Sequence, residues 1–290
     1  MSAELIQGSA EWLDARLGLF NASAIDTWIL DPSPVRLTVP ELKTELDLAG
    51  IVYPKSGKKE ELLALLPNLD RYRDMARGAR TAIIRAVKED VVKALRAIPR
   101  EDLSFEDRIT LDREEEIAAK EARNFEYNIP VKYGNLLEPY ARQEYEAVTG
   151  YEVEIVGQRV MAGGGAACSP DGIIGSSHGL EIKCPTYETH IGWLLDYNRT
   201  GEMPEEHKIQ VHASIAICEF DRWDFISYCP GEVNLIVSVH RDDFTEQVSA
   251  GIRLVIQEKK NLQELLRKMQ NAPVQKFLSI ECCSEIQTSR

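Results

Sequence analysis

The stretch from Ser169 to Lys183 limits most sharply how this chain can fold. Ser169-Pro170-Asp171-Gly172-Ile173-Ile174 is followed by a loop of Gly and Ser and then by Leu180-Glu181-Ile182-Lys183. Two short apolar runs separated by the Gly175 to Gly179 loop read as a hairpin. Residues two apart on a strand share a face, so Glu181 and Lys183 should point together. Ile182 should then turn its side chain into the apolar layer and leave its carbonyl available. With Asp171 on the preceding strand, two carboxylates and an ammonium can converge on one metal-bound phosphate.

Spacing alone does not decide this, because the chain holds four Glu-x-Lys triplets, at Glu41/Lys43, Glu181/Lys183, Glu206/Lys208 and Glu258/Lys260. Three sit in helical-looking sequence, where residues two apart do not face each other and read as surface charge. Only the Glu181 pair follows a Pro-Asp on a preceding strand. A plain cross-strand ion pair is the competing reading of this triad.

A length of 290 residues with 44% hydrophobic side chains suits one large core plus an insert. The net charge of -13 excludes a generally basic nucleic-acid coat but leaves room for a basic groove. Six cysteines, at 168, 184, 218, 229, 282 and 283, form no Cys-x-x-Cys and no zinc-type cluster, which fits a reduced compartment. Met1 to Glu11 lacks a signal-peptide pattern, and no apolar run reaches the roughly 18 residues of a membrane span. The expectation is a cytoplasmic protein without membrane partners.

From Ser9 the chain reads as a capped helix ending near Gly18, and its Arg16 could grip a phosphate, with Ser23 adding a hydroxyl at the next helix start. A solvated Arg is the plainer reading. Asp31-Pro32-Ser33-Pro34 then breaks the chain. Leu37 to Leu66 reads as two short helices joined by an extended link, with Thr38 as a cap and Leu42, Leu46, Leu62, Leu63 and Leu66 as a miniature core. This pattern resembles the SAP, or helix-extension-helix, DNA-binding motif. Lys55, Lys58 and Lys59 cluster where its second helix begins and are candidates for phosphate contact, a protein-contact module being the alternative.

Further on, Leu69 to Ile98 is helical, with Met75, Ala79, Ile83, Ala86, Val87 and Val91 on one side, and Asp102 to Arg123 is a charge-rich exposed helix or connector. Lys132 to Glu138 is expected to open a helix ending at Thr149-Gly150, with Pro139 in its first turn and Glu138 at its start. Tyr151 to Val156 and Gln158 to Met161 alternate as strands. Glu188 to Tyr197 and Pro204 to Glu219 read as helices, Arg222 to Cys229 and Val233 to His240 as strands. Phe244 to Met269 is a long amphipathic helix with Ile252, Val255, Ile256, Leu262 and Leu265 inward.

Taken in order, Trp12, Arg16-Leu17-Gly18, Ala22-Ser23, Gly134, Glu138, Ala167 to Gly172, Gly179 to Pro185 and Gln210 resemble the lambda exonuclease family, also called YqaJ-type viral recombinases. Apart from the SAP-like insert and its neighbouring segment, the resemblance spans nearly the whole chain. It implies an α/β, restriction-endonuclease-like (PD-(D/E)xK) core with a central mixed sheet flanked by helices. The expected division is residues 1–35 and 68–272 for the nuclease core, 36–67 for the small helical insert and 273–290 for a mobile tail. The implied activity is a 5'-to-3' exonuclease that degrades one strand of linear duplex DNA and leaves a 3' single strand.

By position the resemblance makes Asp171, Glu181 and the Ile182 carbonyl metal ligands, with Glu138 completing the acidic site. It has Lys183 orient or help deprotonate the attacking water and Gln210 support it. Arg16, Ser23 and Ser169 match positions that receive the terminal 5'-phosphate. The implied cofactor is Mg2+, or Mn2+, with two ions per site. The implied partners are duplex DNA ends, two further copies of the chain in a toroid, and a single-strand annealing protein. One departure is plain: His207-x-x-Gln210 stands where the family usually has Tyr-x-x-Gln. The other readings are a repair or CRISPR-adaptation nuclease of the same superfamily, and a non-catalytic DNA-end-binding accessory protein.

Overall fold

The computed structural model describes residues 14–29, 39–40, 43, 54–58, 77–126 and 128–271. Strand β1 (Phe20–Asn21) leads into helix α1 (Ile25–Trp28). Helices α2 (Arg77–Arg96), α3 (Phe105–Glu126) and α4 (Ile129–Thr149) follow. Then come β2 (Arg159–Val160), β3 (Ala166–Cys168), β4 (Gly172–Ile174) and β5 (His178–Lys183). Helices α5 (Tyr187–Thr200) and α6 (Glu205–Cys218), strands β6 (Arg222–Ser227) and β7 (Leu235–His240), and helix α7 (Asp243–Asn271) complete the order.

The sheet is mixed, as the α/β reading requires, but it is divided in two. One part has the order β1-β3-β2 and the other β4-β5-β6-β7, with β5 and β6 parallel and β4-β5 and β6-β7 antiparallel. The break falls at Ser169-Pro170-Asp171, where proline brings no N–H to a ladder. The expected hairpin is present, pairing Gly172 with Leu180 and Ile174 with His178. At Gly179 a side chain is impossible, since a Cβ would stand 2.2 Å from the Trp223 ring on the neighbouring strand.

Period-2 alternation on β5 sorts the residues between two layers. Leu180 and Ile182 join Ala141 and Tyr145 of α4 and Ile226 of β6 in one apolar cluster. On the opposite side, Val211, Ile215 and Ala216 of α6 meet Trp223 and Phe225 of β6 and Ile252 and Val255 of α7. Each of the Val, Leu, Ile and Phe side chains among them contributes about 1.5–3 kcal/mol on burial. The sheet is thus held between α4 and the α6–α7 pair, and Glu181 and Lys183 face the α6 side.

Several expectations are corrected. Helix α4 begins at Ile129, where Asn128 caps it by accepting from the Val131 N–H and a proline occupies the first turn. Glu138 and Pro139 therefore lie inside the helix, not at its start. The helix stops as foreseen, at Gly150 in the left-handed region (φ 73°). Tyr151 to Val156 is not a strand: only Glu154 bridges to Ile173, and the following strand shrinks to Arg159–Val160. Alternation there reflects intermittent burial at the sheet margin.

Val91 is 51% exposed and Leu265 37% exposed, although both sit at the inner period. On α2 the buried face moves to Val92 and Leu95, which form their own cluster with Leu103 and Leu111 as α3 turns back. Of the insert, Thr38, Lys59 and the leucines proposed for its core lie outside the described residues, as do Met75 and the tail. Lys43 donates to the Lys55 carbonyl at 2.5 Å, and the Lys55 and Lys58 side chains are exposed. Cys168, Cys184, Cys218 and Cys229 are free thiols. No helix among the described residues is long and apolar enough to cross a membrane.

Candidate active site

Strand β4 is three residues shorter than its partner, so β5 loses its neighbour beyond Leu180. The chain before β4 fills that edge: the Asp171 N–H donates to the Leu180 carbonyl at 3.1 Å, and Asp171 Oδ2 accepts from the Ile182 N–H at 2.7 Å. On a strand, the N–H and C=O of one residue leave by the same edge, so the Ile182 carbonyl also points toward the Asp171 side. This edge opens into a pocket of about 520 Å³. Asp171, Glu181, Ile182 and Lys183 line it, Glu138 and Asn135 enter from α4, and Gln210 and Ser214 come from α6.

The hydrogen bonds converge on one oxygen. Glu181 Oε1 accepts from Gln210 Nε2 at 2.7 Å and also pairs with the Lys183 ammonium. Glu138 Oε1 is held by Arg142 Nη2 at 2.5 Å, and the same Nη2 donates to the Asp171 carbonyl at 3.1 Å. Burial raises the Asp171 carboxyl well above the usual range, and the negative charges of Glu181 and Glu138 push it further, against Lys183 and the Ile182 N–H. Burial likewise raises Glu138, with Arg142 opposing. Burial alone would lower Lys183, but the charges of Glu181, Asp171 and Glu138 outweigh it, and its pKa is raised. In this state Lys183 is an ammonium.

The other wall of the same pocket carries Arg16, Ser23 and Ser169. Arg16 Nη2 donates to Ser23 Oγ at 2.9 Å, and burial brings the guanidinium down to about 10. Ser169 Oγ is buried with no hydrogen-bond partner. The turn that holds Arg16 is fastened at Gly18, whose N–H meets Glu89 Oε2 at 2.9 Å and whose carbonyl meets Lys259 Nζ at 2.5 Å. Gly18 has φ +73°, and a Cβ there would stand 2.1 Å from Asp90 Oδ1.

All candidate residues of the acidic site and of the phosphate wall thus line one cavity. The sequence reading missed Arg142, although Glu138 and Arg142 are an i,i+4 pair that could have signalled it. It also missed Trp193, which joins the pocket wall. His207, where the resemblance expects a tyrosine, stacks on Phe225 (ring centroids 5.5 Å) and meets Trp193 edge-on at 5.2 Å. Burial, then the nearby Lys183 charge, lowers it to about 4.

An unfolded His titrates near 6.5, so this group's contribution is present above about pH 6.5 and is lost as pH falls toward 4, reaching about 2–3 kcal/mol. Denaturant unfolding at pH 7 and pH 4.5 should show a steeper loss in the wild type than in His207→Gln. Identical slopes would place the acid sensitivity elsewhere.

A mixed sheet between helices, with carboxylates and a lysine at its open edge, defines a restriction-endonuclease-like α/β protein. More particularly, residues 103–221 match the YqaJ-like viral recombinase domain. No curated protein sequence matches the chain. Among solved structures, an alkaline exonuclease from Laribacter hongkongensis is similar in fold, with a TM-score of 0.51 at 20% identity, over 90% of this chain and 100% of the other. The same exonuclease in complex with dAMP gives 0.50 at 21% identity with the same coverage. The matched domain contains Glu138, Asp171, Glu181, Lys183 and Gln210, and it leaves Arg16 and Ser23 outside.

Proposed function

We propose that the protein is a metal-dependent DNA exonuclease that hydrolyses linear duplexes from the 5' end, releases mononucleotides and leaves 3' single strands for phage-type recombination. The observation that carries this is the meeting of Glu138, Asp171, Glu181, Lys183 and Gln210 in one pocket whose far wall holds Arg16, Ser23 and Ser169. The YqaJ-like domain supports a DNA exonuclease as the class. The direction of digestion and the preference for duplex DNA rest on the resemblance of the motifs.

Among the described residues, no three His, Cys, Asp or Glu side chains stand grouped so as to hold a metal ion in this state. The donor set nonetheless suits a hard divalent cation. It consists of carboxylate oxygens and a backbone carbonyl lining one pocket, the hard oxygen ligands such ions take. Glu138, Asp171, Glu181 and the Ile182 carbonyl would hold Mg2+ or Mn2+, one or two ions. Such an ion supplies charge to the phosphate and a more acidic bound water.

The chain's own residues do the rest. Lys183, with Gln210 anchored to the same Glu181 oxygen, orients the attacking water and, in its neutral amine form, would take the water's proton. Arg16, with Ser23 and the unpartnered Ser169 hydroxyl, receives the terminal 5'-phosphate and sets which bond meets the carboxylates. Lys55, Lys58 and Lys59 are proposed to add phosphate contacts beyond the pocket. Assembly as a toroidal trimer and delivery of the 3' strand to an annealing protein complete this reading.

Duplexes labelled at either end, incubated with Mg2+ and then with EDTA, test it. Release of 5' mononucleotides is expected. Internal nicking would favour another nuclease of the superfamily, and binding without cleavage an accessory protein. Arg16→Ala should reduce the preference for 5'-phosphorylated over 5'-hydroxyl ends by about 10- to 100-fold, the weight of one or two charge-assisted hydrogen bonds. An unchanged ratio of the two rates would remove Arg16 from the phosphate site.

A further inference from the structure

Arg142 belongs to neither wall of the pocket, yet its head group touches both the helix and the turn that supply carboxylates. It lies one helical turn after Glu138 on α4, and its side chain is 12% exposed. Its Nη2 donates to Glu138 Oε1 at 2.5 Å and to the Asp171 carbonyl at 3.1 Å. Its Nε is buried without an acceptor, so the guanidinium gives up one hydrogen bond to reach these two partners at once.

The placement answers a local weakness. Pro139, directly after Glu138, has no N–H, so the Asn135 carbonyl lacks its usual partner one turn on. Glu138, Asp171 and Glu181 line one pocket, and as carboxylates they repel one another. A side chain on the weakened turn, facing two like charges, would swing away unless something fixed it.

We propose that Arg142 is a positioning residue that clamps α4 to the Asp171 turn and presents the second oxygen of Glu138 to a divalent cation. The inference rests on the proposed function, in which Glu138 and Asp171 hold that ion. The opposite role makes an opposite prediction. A guanidinium that only neutralises the acids competes with the ion, and its removal tightens ion binding by leaving more negative charge. A clamp works through geometry, and its removal weakens binding.

Calorimetric titration of Mn2+ into the full chain without DNA separates them. For Arg142→Gln the clamp predicts Mn2+ binding weakened by about 10- to 100-fold, the usual consequence of removing a group that orients a metal ligand. It also predicts a lower kcat on duplex DNA with little change in KM. Arg142→Lys keeps the charge on a compact ammonium that cannot reproduce the fork, and should bind Mn2+ with intermediate affinity; it carries the test alone if the glutamine variant does not fold. In Glu138→Gln, adding Arg142→Gln should cause little further loss. Mn2+ binding that is equal or tighter in Arg142→Gln overturns the clamp and leaves the proposed function standing. Absence of Mn2+ binding in the wild type overturns both.

Discussion

Replacing Lys183 by alanine should abolish hydrolysis, with a loss of about a thousandfold or more, while binding to duplex ends persists. General acid-base help alone accounts for about 10²–10⁴-fold, and this ammonium is also the cation paired with Glu181. Among the described residues that line the pocket no second lysine stands, and Gln210 can orient a water but cannot take its proton at neutral pH. End binding should survive because Arg16, Ser23 and Ser169 occupy the other wall of the pocket. Single-turnover rates with a 5'-labelled duplex, set beside a binding isotherm, measure the two effects separately. Wild-type rates in the variant would take the lysine out of the mechanism.

The second large effect concerns Asp171, where function and stability should part. Asp171→Asn should reduce the rate by about a thousandfold or more, since a neutral amide is a poor ligand for a hard cation. In EDTA the same variant should melt at a higher temperature than the wild type. The Asp171 carboxyl is raised by burial and by Glu181 and Glu138, so its charged form costs stability at neutral pH. The amide removes that charge yet keeps an oxygen for the Ile182 N–H, which Asp171 now holds at 2.7 Å.

The sign follows from the direction of the shift. An acid raised in the folded state binds its proton more tightly there, so wild-type stability in EDTA should climb as pH falls through that raised value and level off near the unfolded carboxyl's pKa of about 3.9. The asparagine variant should lack this climb. A gain of about 1–2 kcal/mol corresponds to a few degrees in a domain of this size. A lower melting temperature in scanning calorimetry would mean that the carboxylate is structurally required and not strained.

Much of the site could be read from local pattern. Asp171, Glu181 and Lys183 were legible because period 2 puts alternate side chains on one face and the Gly-rich loop between them forces a hairpin. Gln210 and the phosphate role of Ser169 came only from the resemblance of motifs, and Arg16 and Ser23, though local reading offered them to a phosphate, needed that resemblance to be told from solvated side chains.

Glu138 was named but misplaced. Pro139 suggested a first turn, whereas Asn128 and Pro130 start the helix nearly three turns earlier. Val91 and Leu265 kept the inner period yet face solvent, because period says which residues share a face and not which neighbour covers it. The stretch from Tyr151 to Val156 alternated without pairing, since a strand exists only where a partner edge is offered.

By itself the sequence set the hairpin and the shared face of Glu181 and Lys183, because those follow from chain stereochemistry within a dozen residues, while the mixed α/β class came with the resemblance of motifs. Only the tertiary structure decided that β4 ends early, that the exposed edge of β5 becomes the floor of a pocket, and that α4 and α6 reach it from opposite sides. It alone revealed Arg142 joining Glu138 to the Asp171 turn. Charges brought together from positions 16, 138, 171, 181 and 210 interact through space, and that energy depends on distances no sequence interval specifies.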